Sequence, residues 1–276
     1  MVGQHNVLTL LSDFGLSDVY VGVMKGVIAA INPELTPIDL THQIPPQNIA
    51  LARFALMTAF PYFPAGTVHV AIVDPGVGSN RRAIALVVGT DPDNPTGFLV
   101  GPDNGLFSGV FSQSPILAAV ELTNRQYWRV PEPSHTFHGR DIFAPVGAYL
   151  ATGVPFSDLG EAIAAESLTQ LNIPAVQIEP LDETTTRITG CIQALDHFGN
   201  LITNIPGRQV VDSKWSIVVN EMIIAGGQTY SDSLVGELVA LIGSHGWVEI
   251  AVNNGSAQAK LNLQWGDPIQ LLIVSR

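Results

Sequence analysis

Cysteine is almost absent from this sequence: Cys191 is the single cysteine among 276 residues. One thiol cannot form an intrachain disulfide, which excludes the disulfide-rich secreted class and fits a reducing compartment. Residues 1–6 lack the basic start and long apolar stretch of a signal peptide. No apolar run approaches the roughly 20 residues that a membrane span needs. We therefore expect a soluble, cytoplasmic protein with no membrane partner.

Basic residues are also scarce. The chain has 12 lysines and arginines against 24 aspartates and glutamates, a formal net charge of −12. A surface this acidic repels phosphate backbones, so we expect no nucleic-acid partner. The charge is compatible with a cationic ligand, although solubility alone would explain it. With 46% hydrophobic and 13% charged residues, the composition indicates a well-packed globular protein.

The tripeptide Asp13-Phe14-Gly15 is the one that carries the magnesium-binding aspartate of protein kinases. In kinases the glycine-rich loop, the strand lysine and the catalytic loop all precede it. Here only 12 residues precede Asp13, and the chain has no Gly-x-x-x-x-Gly-Lys-Ser/Thr loop. The order of motifs excludes a kinase.

The first part of the chain alternates strand-like and helix-like segments. Residues 7–11 and 68–73 are short apolar runs typical of buried strands. Between them we predict a helix capped by Ser17 or Asp18, with its buried stripe formed by Val19, Val23, Val27 and Ile31. Alternation of this kind predicts an α/β domain with a mostly parallel sheet, over residues 1–170.

The alternation of strand-like and helix-like segments ends at about residue 170. Five short β-like runs follow, separated by Gly, Asn and Ser, and they predict a smaller all-β, barrel-like domain over residues 175–276. The runs are 186–194, 217–225, 238–242, 248–252 and 269–274.

Two aspartates follow predicted parallel strands directly. Ligands of parallel sheets gather outside the carboxyl ends of the strands, so Asp13 and Asp74 are candidate ligand groups. Either could instead cap the next helix. After Asp74, a proline and two glycines set an unusual path that could bring Arg81 back to the carboxylate, where the pair could orient a water. A purely structural ion pair would explain the pattern equally well.

Other polar loops carry weaker signals. His138 lies at the entry to a predicted helix over residues 142–151, where a solvated loop histidine is the simpler interpretation. Arg140 and Asp141 suggest a capping ion pair. Asp196-His-Phe-Gly-Asn200 could be an ordinary hairpin.

Taken in chain order, these motifs resemble the adenosine-forming S-adenosyl-L-methionine (SAM) hydrolases, also called SAM hydroxide adenosyltransferases. That family is related to the bacterial fluorinase and chlorinase. The resemblance covers essentially the whole chain. The motifs that carry it are Ser12-Asp-Phe-Gly15, Pro64-Ala-Gly-Thr67, Val73-Asp-Pro-Gly-Val-Gly-Ser79, Gly101-Pro-Asp-Asn-Gly105, Thr136-Phe-His-Gly-Arg-Asp141, Asp196-His-Phe-Gly-Asn200 and Glu249-Ile-Ala-Val-Asn-Asn-Gly255.

The resemblance implies hydrolysis of SAM to adenosine and L-methionine with neither a cofactor nor a metal ion. It also implies a homotrimer in which each site combines one subunit's N-terminal domain with a neighbour's C-terminal domain. The water-activating set would be Asp74, Arg81 and His138. In the halogenating relatives the positions of Asp74 and His138 carry different residues, so the full set points to water as the nucleophile.

The resemblance also assigns the substrate contacts. His245, which follows Ser244, departs from the smaller residue or arginine expected there. The implied contacts are Asp13 with the ribose hydroxyls, Asp18 with the adenosyl group, Asp196 and Ser244 with the amine and carboxylate of methionine, and Asn200 and Val252 to Asn254 with the nucleoside.

Three other functions stay open at this point. A non-catalytic adenosyl-binding or sensing protein could keep the pocket without turnover, and a halide-using adenosyltransferase could share the fold. A metal-dependent phosphohydrolase is the third. Its ligands could be drawn from Asp13, Asp74, His138, Asp141 and Asp196.

Overall fold

The computed structural model describes residues 7–274, which divide into a first unit that ends at Leu171 and a second unit that begins at Asn172. Each unit contains one sheet that packs against hydrophobic residues of its own unit. Within residues 7–274, no helix combines the length and the apolar character that crossing a membrane requires.

The first unit is built on a seven-stranded sheet with the order β2-β1-β3-β5-β4-β6-β7. Its strands are β1 (Leu8–Ser12), β2 (Ile38–Thr41), β3 (Thr67–Ile72), β4 (Ala83–Val88), β5 (Gly97–Pro102), β6 (Ile116–Glu121) and β7 (Glu161–Ala162). Strands β2, β1, β3 and β5 pair in parallel, β4 is antiparallel to both of its neighbours, and β7 is antiparallel to β6. All strands but β4 and β7 therefore run in one direction, which confirms the mostly parallel α/β prediction.

Helices cover both faces of this sheet. Val68, Val70 and Ile72 of β3 pack into a core with α1 and α4, whereas Ala71 and the following Val73 pack into a second core with α2 and α3. This alternation is what a strand buried on both faces requires. The helices are α1 (Tyr20–Ile31), α2 (Ile49–Ala59), α3 (Ser108–Phe111) and α4 (Ala144–Ala151), and a π-helical turn, Gly139–Phe143, leads directly into α4.

Helix α1 differs from its prediction. It begins at Tyr20, and Val19 stands at the cap without a side-chain cap hydrogen bond, so neither Ser17 nor Asp18 caps it. Val19 is 73% exposed, and the buried face is formed by Val21, Met24 and Ile28. The predicted stripe was wrong because the helix is apolar on nearly every side, so its periodicity does not single out one face.

The second unit is a sheet of eight antiparallel strands. They are β8 (Gln177–Pro180), β9 (Thr185–Leu195), β10 (Leu201–Pro206), β11 (Lys214–Val219), β12 (Met222–Ala225), β13 (Leu238–Ile242), β14 (Trp247–Val252) and β15 (Pro268–Val274). Just after β12, the N–H of Gly227 donates to the carbonyl of Ala240 in β13 at 2.7 Å. The two ends of the sheet meet there, so the sheet is a nearly closed barrel and the barrel-like prediction is confirmed.

Two details of this unit differ from prediction. The predicted strand 217–225 is a hairpin of β11 and β12, because Asn220 and Glu221 turn the chain with φ of 48° and 64°. A short helix, α5 (Ala257–Leu261), capped by the Ser256 side chain, was not predicted.

His69 is one of the titratable side chains that are buried in the first unit. His69 on β3 is 1% exposed, its Nδ1 lies 2.8 Å from Thr9 Oγ1, and the ring contacts Phe60 and Phe63. Burial disfavours the charged imidazolium and lowers the pKa of His69 to about 4. The fold therefore holds this ring neutral.

This burial predicts an acid-sensitive stability. An unfolded histidine titrates at about pH 6.5, so below that pH the unfolded chain binds a proton that folded His69 refuses until about pH 4. The free energy of unfolding should fall by about 3 kcal/mol across this window from His69 alone. Urea unfolding at several pH values checks this: His69→Gln should flatten the dependence. His197→Gln, at an exposed position, should not. Equal slopes in wild type and His69→Gln would contradict it.

Candidate active site

A cleft of about 420 Å³ opens at the carboxyl ends of β1 and β3. The loops after these strands bring Asp13 and Asp74 to it, and the loop before the π-helical turn brings His138. Sequence reasoning named all three. The remaining lining residues are Phe14, Tyr20, Pro46, Gln47, Ile72, Pro75, Val77, Thr136, Phe137 and Gly139.

Asp74 and Arg81 form a buried ion pair behind this cleft. Arg81 Nη2 lies 2.6 Å from Asp74 Oδ2, and Nε lies 3.0 Å from each carboxylate oxygen. The side chains are 6% (Asp74) and 10% (Arg81) exposed. The turn between them closes through Ser79, whose hydroxyl donates to the Gly76 carbonyl at 2.6 Å. The glycine-rich path thus returns Arg81 to Asp74, as the spacing predicted.

The neighbouring arginine serves a different contact. Arg82 Nη2 lies 2.5 Å from Asp103 Oδ2, and the same guanidinium donates to Ser167. Asp103 belongs to the Gly101–Gly105 turn, where Asn104 also donates to the Val73 carbonyl at 2.7 Å. This turn is therefore structural, and Arg81 is the arginine that reaches Asp74.

Arg81 also binds His138. Its Nη2 lies 2.6 Å from His138 Nδ1. Because a guanidinium only donates, Nδ1 must accept, and the proton of the neutral ring then sits on Nε2. Burial and the positive charge of Arg81 lower the pKa of His138, against the opposing charges of Asp74 and Asp141. The ring is therefore neutral at pH 7, with its proton on the nitrogen that Arg81 does not use.

Asp141 fixes the loop that carries His138. It is fully buried and accepts from Arg140 Nη2 at 2.7 Å, from Arg129 Nε at 3.0 Å and from the Ser134 N–H at 3.0 Å. Burial alone would raise its pKa, but the hydrogen bonds from Arg140, Ser134 and Arg129 hold the pKa of Asp141 well below its usual range. The Arg140–Asp141 pair suggested by the sequence is present.

Gly78 permits the loop of Asp74 to meet the loop that leads to His138. It has φ of +77°, and a Cβ there would overlap the carbonyl oxygen of His135. Only glycine combines this conformation with such close approach of backbone. The loop of Asp74 thus packs directly on the loop that leads to His138.

Asp13 and Asp18, predicted as neighbours in one adenosyl-contacting stretch, are placed differently. Asp13 lines the cleft, and its Oδ2 accepts from the Gln47 N–H at 2.8 Å. Asp18 is exposed and is not among the residues that line this cleft. Sequence reasoning missed the aromatic wall, in which the Tyr20 and Phe137 rings lie 5.2 Å apart and Phe14 contacts both. Their spread along the chain gave no local signal.

The second unit holds the other predicted binding residues. Asn200, Val252 and Asn254 line a pocket of about 300 Å³. Asp196 closes the β9–β10 hairpin, accepting from the N–H groups of Phe198 and Asn200 at 2.9 Å. Sequence reasoning missed three other lining residues, Phe198, Tyr230 and Gly255, which stand in short polar loops that resemble ordinary turns.

Ser244 is not brought to this pocket. It is exposed on the turn between β13 and β14, and it is not among the residues that line the pocket. The contact of Ser244 with methionine stays a prediction.

Comparison with known families accounts for both units. Residues 8–160 match the SAM hydroxide adenosyltransferase N-terminal domain, and residues 190–270 match the SAM hydroxide adenosyltransferase C-terminal domain. The chain belongs to the SAM hydroxide adenosyltransferase family.

Curated members of the family are similar over nearly their whole length. An (R)-S-adenosyl-L-methionine hydrolase from Salinispora tropica is 40% identical, covering 96% of this chain and 97% of its own. The hydrolase of that name from Thermus thermophilus is 38% identical, over 95% and 98%. A fluorinase from Nocardia brasiliensis is 25% identical, over 98% of each chain. This SAM hydroxide adenosyltransferase chain is therefore more similar to these two hydrolases than to that fluorinase.

A solved structure has the same fold. An uncharacterized conserved protein from Thermotoga maritima superposes with a TM-score of 0.86 at 34% identity, covering 98% of this chain and all of the other. This chain and the Thermotoga maritima protein therefore share one fold.

The metal-dependent alternative lacks its ligand set in this SAM hydroxide adenosyltransferase. Within residues 7–274, no group of three or more His, Cys, Asp or Glu side chains could hold a metal ion. Asp74 is engaged by Arg81, and Asp141 by Arg129 and Arg140.

The geometry predicts how Arg81 tunes His138. Arg81→Met removes the positive charge that disfavours imidazolium and exposes the ring to the carboxylate of Asp74, so the pKa of His138 should rise. NMR titration of the imidazole measures this. Arg82→Met, which breaks only the contacts to Asp103 and Ser167, should leave the pKa where it is. A His138 pKa that is unchanged or lower in Arg81→Met would contradict the assignment.

Proposed function

We propose that this protein hydrolyses S-adenosyl-L-methionine to adenosine and L-methionine, by in-line attack of water on the 5′ carbon. The observation that carries the proposal is the contact of one guanidinium, Arg81, with both Asp74 and His138 at a single cleft. Membership of the family and the hydrolase names of its similar members support the same reaction.

The proton inventory of the reaction is simple. Water forms a bond from its oxygen to the 5′ carbon while the carbon–sulfur bond breaks, and the sulfur leaves as the neutral thioether of methionine. The leaving group therefore needs no general acid. Only the proton of the attacking water must be accepted, so the chain has to supply one base and a way to aim the water.

Asp74 is the group that fits the base. His138 spends its Nδ1 lone pair on Arg81 and carries its proton on Nε2, so towards water it is a donor. Asp74 is a carboxylate whose remaining lone pairs can accept a hydrogen bond from water at the cleft. The water would then receive a hydrogen bond from His138 and give its proton to Asp74, while Arg81 holds both side chains.

The magnitudes suit such a site. Correct alignment of two reactants can supply about 7–11 kcal/mol of the barrier. General-base help adds about 10² to 10⁴ in rate. No cofactor enters this scheme, and the proposal is metal-independent.

The substrate contacts extend the proposal. The carboxylate of Asp13 uses one oxygen for the Gln47 N–H, which leaves acceptor capacity for the ribose hydroxyls. Asn200 and Asn254, with Val252, would contact the nucleoside from the second unit, and Asp196 with Ser244 would hold methionine. The contact of Asp18 with the adenosyl group and the cytoplasmic location of the protein stay predictions.

The first test is Asp74→Asn. The amide keeps the shape of the side chain but removes the base, so the rate of adenosine formation should fall by about 10²- to 10⁴-fold. Liquid chromatography of adenosine, with EDTA present throughout, measures it. Adenosine binding, measured by calorimetry, should persist because Asp13 is intact.

Asp93→Asn, the same change at an exposed loop position, is the matched control and should be as active as wild type. A variant Asp74→Asn that retains the wild-type rate would contradict the proposed base. Loss of wild-type activity in EDTA would contradict metal independence.

We further propose that the protein is a homotrimer whose sites each combine the first unit of one subunit with the second unit of its neighbour. Its support is the distribution of the predicted contacts over two separate units: Asp13 and Asp74 belong to the first, and Asn200 and Asn254 to the second.

Complementation tests this arrangement. Asp74→Asn and Asn200→Ala chains, co-expressed with different tags and purified through both, should form mixed trimers, although each variant alone should be much less active than wild type at SAM concentrations below KM. One of the three sites in such a trimer pairs two intact units, so about a third of the wild-type rate should return. Sites contained within one subunit would give no recovery. Light scattering of the wild type checks the trimer itself.

A further inference from the structure

Glu249 is a carboxylate buried in the second unit. It lies on β14, and its side chain is 3% exposed. The Tyr230 hydroxyl donates to Oε1 at 2.7 Å, and His245 Nε2 lies 2.9 Å from Oε2. A buried charge is costly unless it is hydrogen-bonded, and here each oxygen has its own donor from a different loop.

The hydrogen bond that joins His245 to Glu249, here named the His245 arm, has a defined direction. The N–H of Trp247 donates to His245 Nδ1 at 3.2 Å, so Nε2 carries the proton and donates to Glu249. Both ring nitrogens are thus used inside the unit. His245 acts as a tether between its turn and Glu249, which gives a structural role to the histidine that stands where the resemblance implies a smaller residue or an arginine.

Gly243 leaves space for the contact between His245 and Glu249. A Cβ at Gly243 would overlap both the Glu249 carboxylate and the His245 ring. The turn itself is short, with the Gly246 N–H donating to the Gly243 carbonyl at 2.8 Å and the Gly243 N–H to that of Trp247 at 2.9 Å. The turn that displays Ser244 is therefore held against the buried carboxylate.

The hydrogen bond that joins Tyr230 to Glu249, here named the Tyr230 arm, leads to the pocket of the predicted nucleoside contacts. The Tyr230 ring lines the pocket formed with Asn200, Val252 and Asn254. Burial, together with the hydrogen bond to Glu249 and its charge, raises the pKa of Tyr230 to about 12. Its hydroxyl therefore remains a donor to Glu249 at any ordinary pH.

We propose that Glu249 is a positioning residue that ties the nucleoside-facing Tyr230 and the methionine-facing Ser244 turn to one rigid strand. The inference rests on the proposed function, since that function supplies the two ligands. Glu249 touches neither product. It sets the separation of the two groups that do, so that each arm governs one end of the substrate.

The test separates the arms. Tyr230→Phe keeps the ring but removes the donor. His245→Asn keeps an acceptor for the Trp247 N–H but cannot reach Glu249. Calorimetry with adenosine and with methionine, on the full chain, should show about a tenfold weaker adenosine affinity in the first variant and about a tenfold weaker methionine affinity in the second. Glu249→Gln should weaken both, and should raise KM for SAM more than it lowers kcat.

Glu237→Gln is the matched control, because it makes the same change at an exposed glutamate of the same unit. Both affinities should then equal those of wild type. If Glu249→Gln does not fold, the two arm variants decide the question without it.

Affinities within twofold of wild type in both arm variants would overturn the inference, as would equal weakening of both ligands by each variant, which marks general destabilisation. The proposed function is judged separately by adenosine formation from SAM in the wild type. A wild type that binds both products without turnover overturns the function alone, and one that binds neither overturns both.

Discussion

One guanidinium organises the cleft of the first unit. A guanidinium has only N–H donors and no acceptor, so Arg81 donates in every hydrogen bond that it makes. It donates to the Asp74 carboxylate and to His138 Nδ1 together. That single fact sets the tautomer of the histidine and leaves the carboxylate as the acceptor that faces the cleft. A buried ion pair adds little stability by itself. Its consequence here is geometric, because it fixes where a proton can go.

Two structural features bring Arg81 to both partners. The turn from Asp74 is short enough to return the arginine to its own strand end, and Gly78 lets that turn touch the backbone of His135. On the other side, buried Asp141 holds the loop of His138 through Arg129 and Arg140. π-Helical turns occur often at functional sites, and the one that begins at Gly139 directly follows the histidine.

The sequence predicted the features of this cleft that depend on short segments of the chain. Asp13 and Asp74 follow from the rule for strand ends, and Arg81 follows from a glycine path of seven residues. His138 lies 57 residues beyond Arg81 in the chain, and no local pattern connects them. Only the resemblance joined them. The sheet was predictable because buried parallel strands read as apolar runs, whereas the face of α1 was not, because an almost wholly apolar helix has no preferred stripe.

Local sequence patterns also gave little information about two features of the second unit. The hairpin at Asn220 was missed because an apolar run on each side hides a two-residue turn, and its signal was only an Asn-Glu pair in the left-handed region. Glu249 gave one signal: a charged residue inside the apolar run of β14. Such a residue must find donors, and in a barrel the nearest donors come from loops at the strand ends.

The two units therefore solve a common problem with different chemistry. Each holds cleft-lining or pocket-lining side chains that come from separate loops, and each does so through a buried charged group that bonds to two loops at once. In the first unit the group is a cation, Arg81, whose partners are the atoms that would handle a proton. In the second it is an anion, Glu249, whose partners Tyr230 and His245 are neutral donors. In the proposed reaction, a cation beside the attacking water would bias where the proton of that water goes, whereas an anion held by neutral donors would set distance and orientation. Charge would thus govern the chemical step in the first unit, and shape would govern recognition in the second.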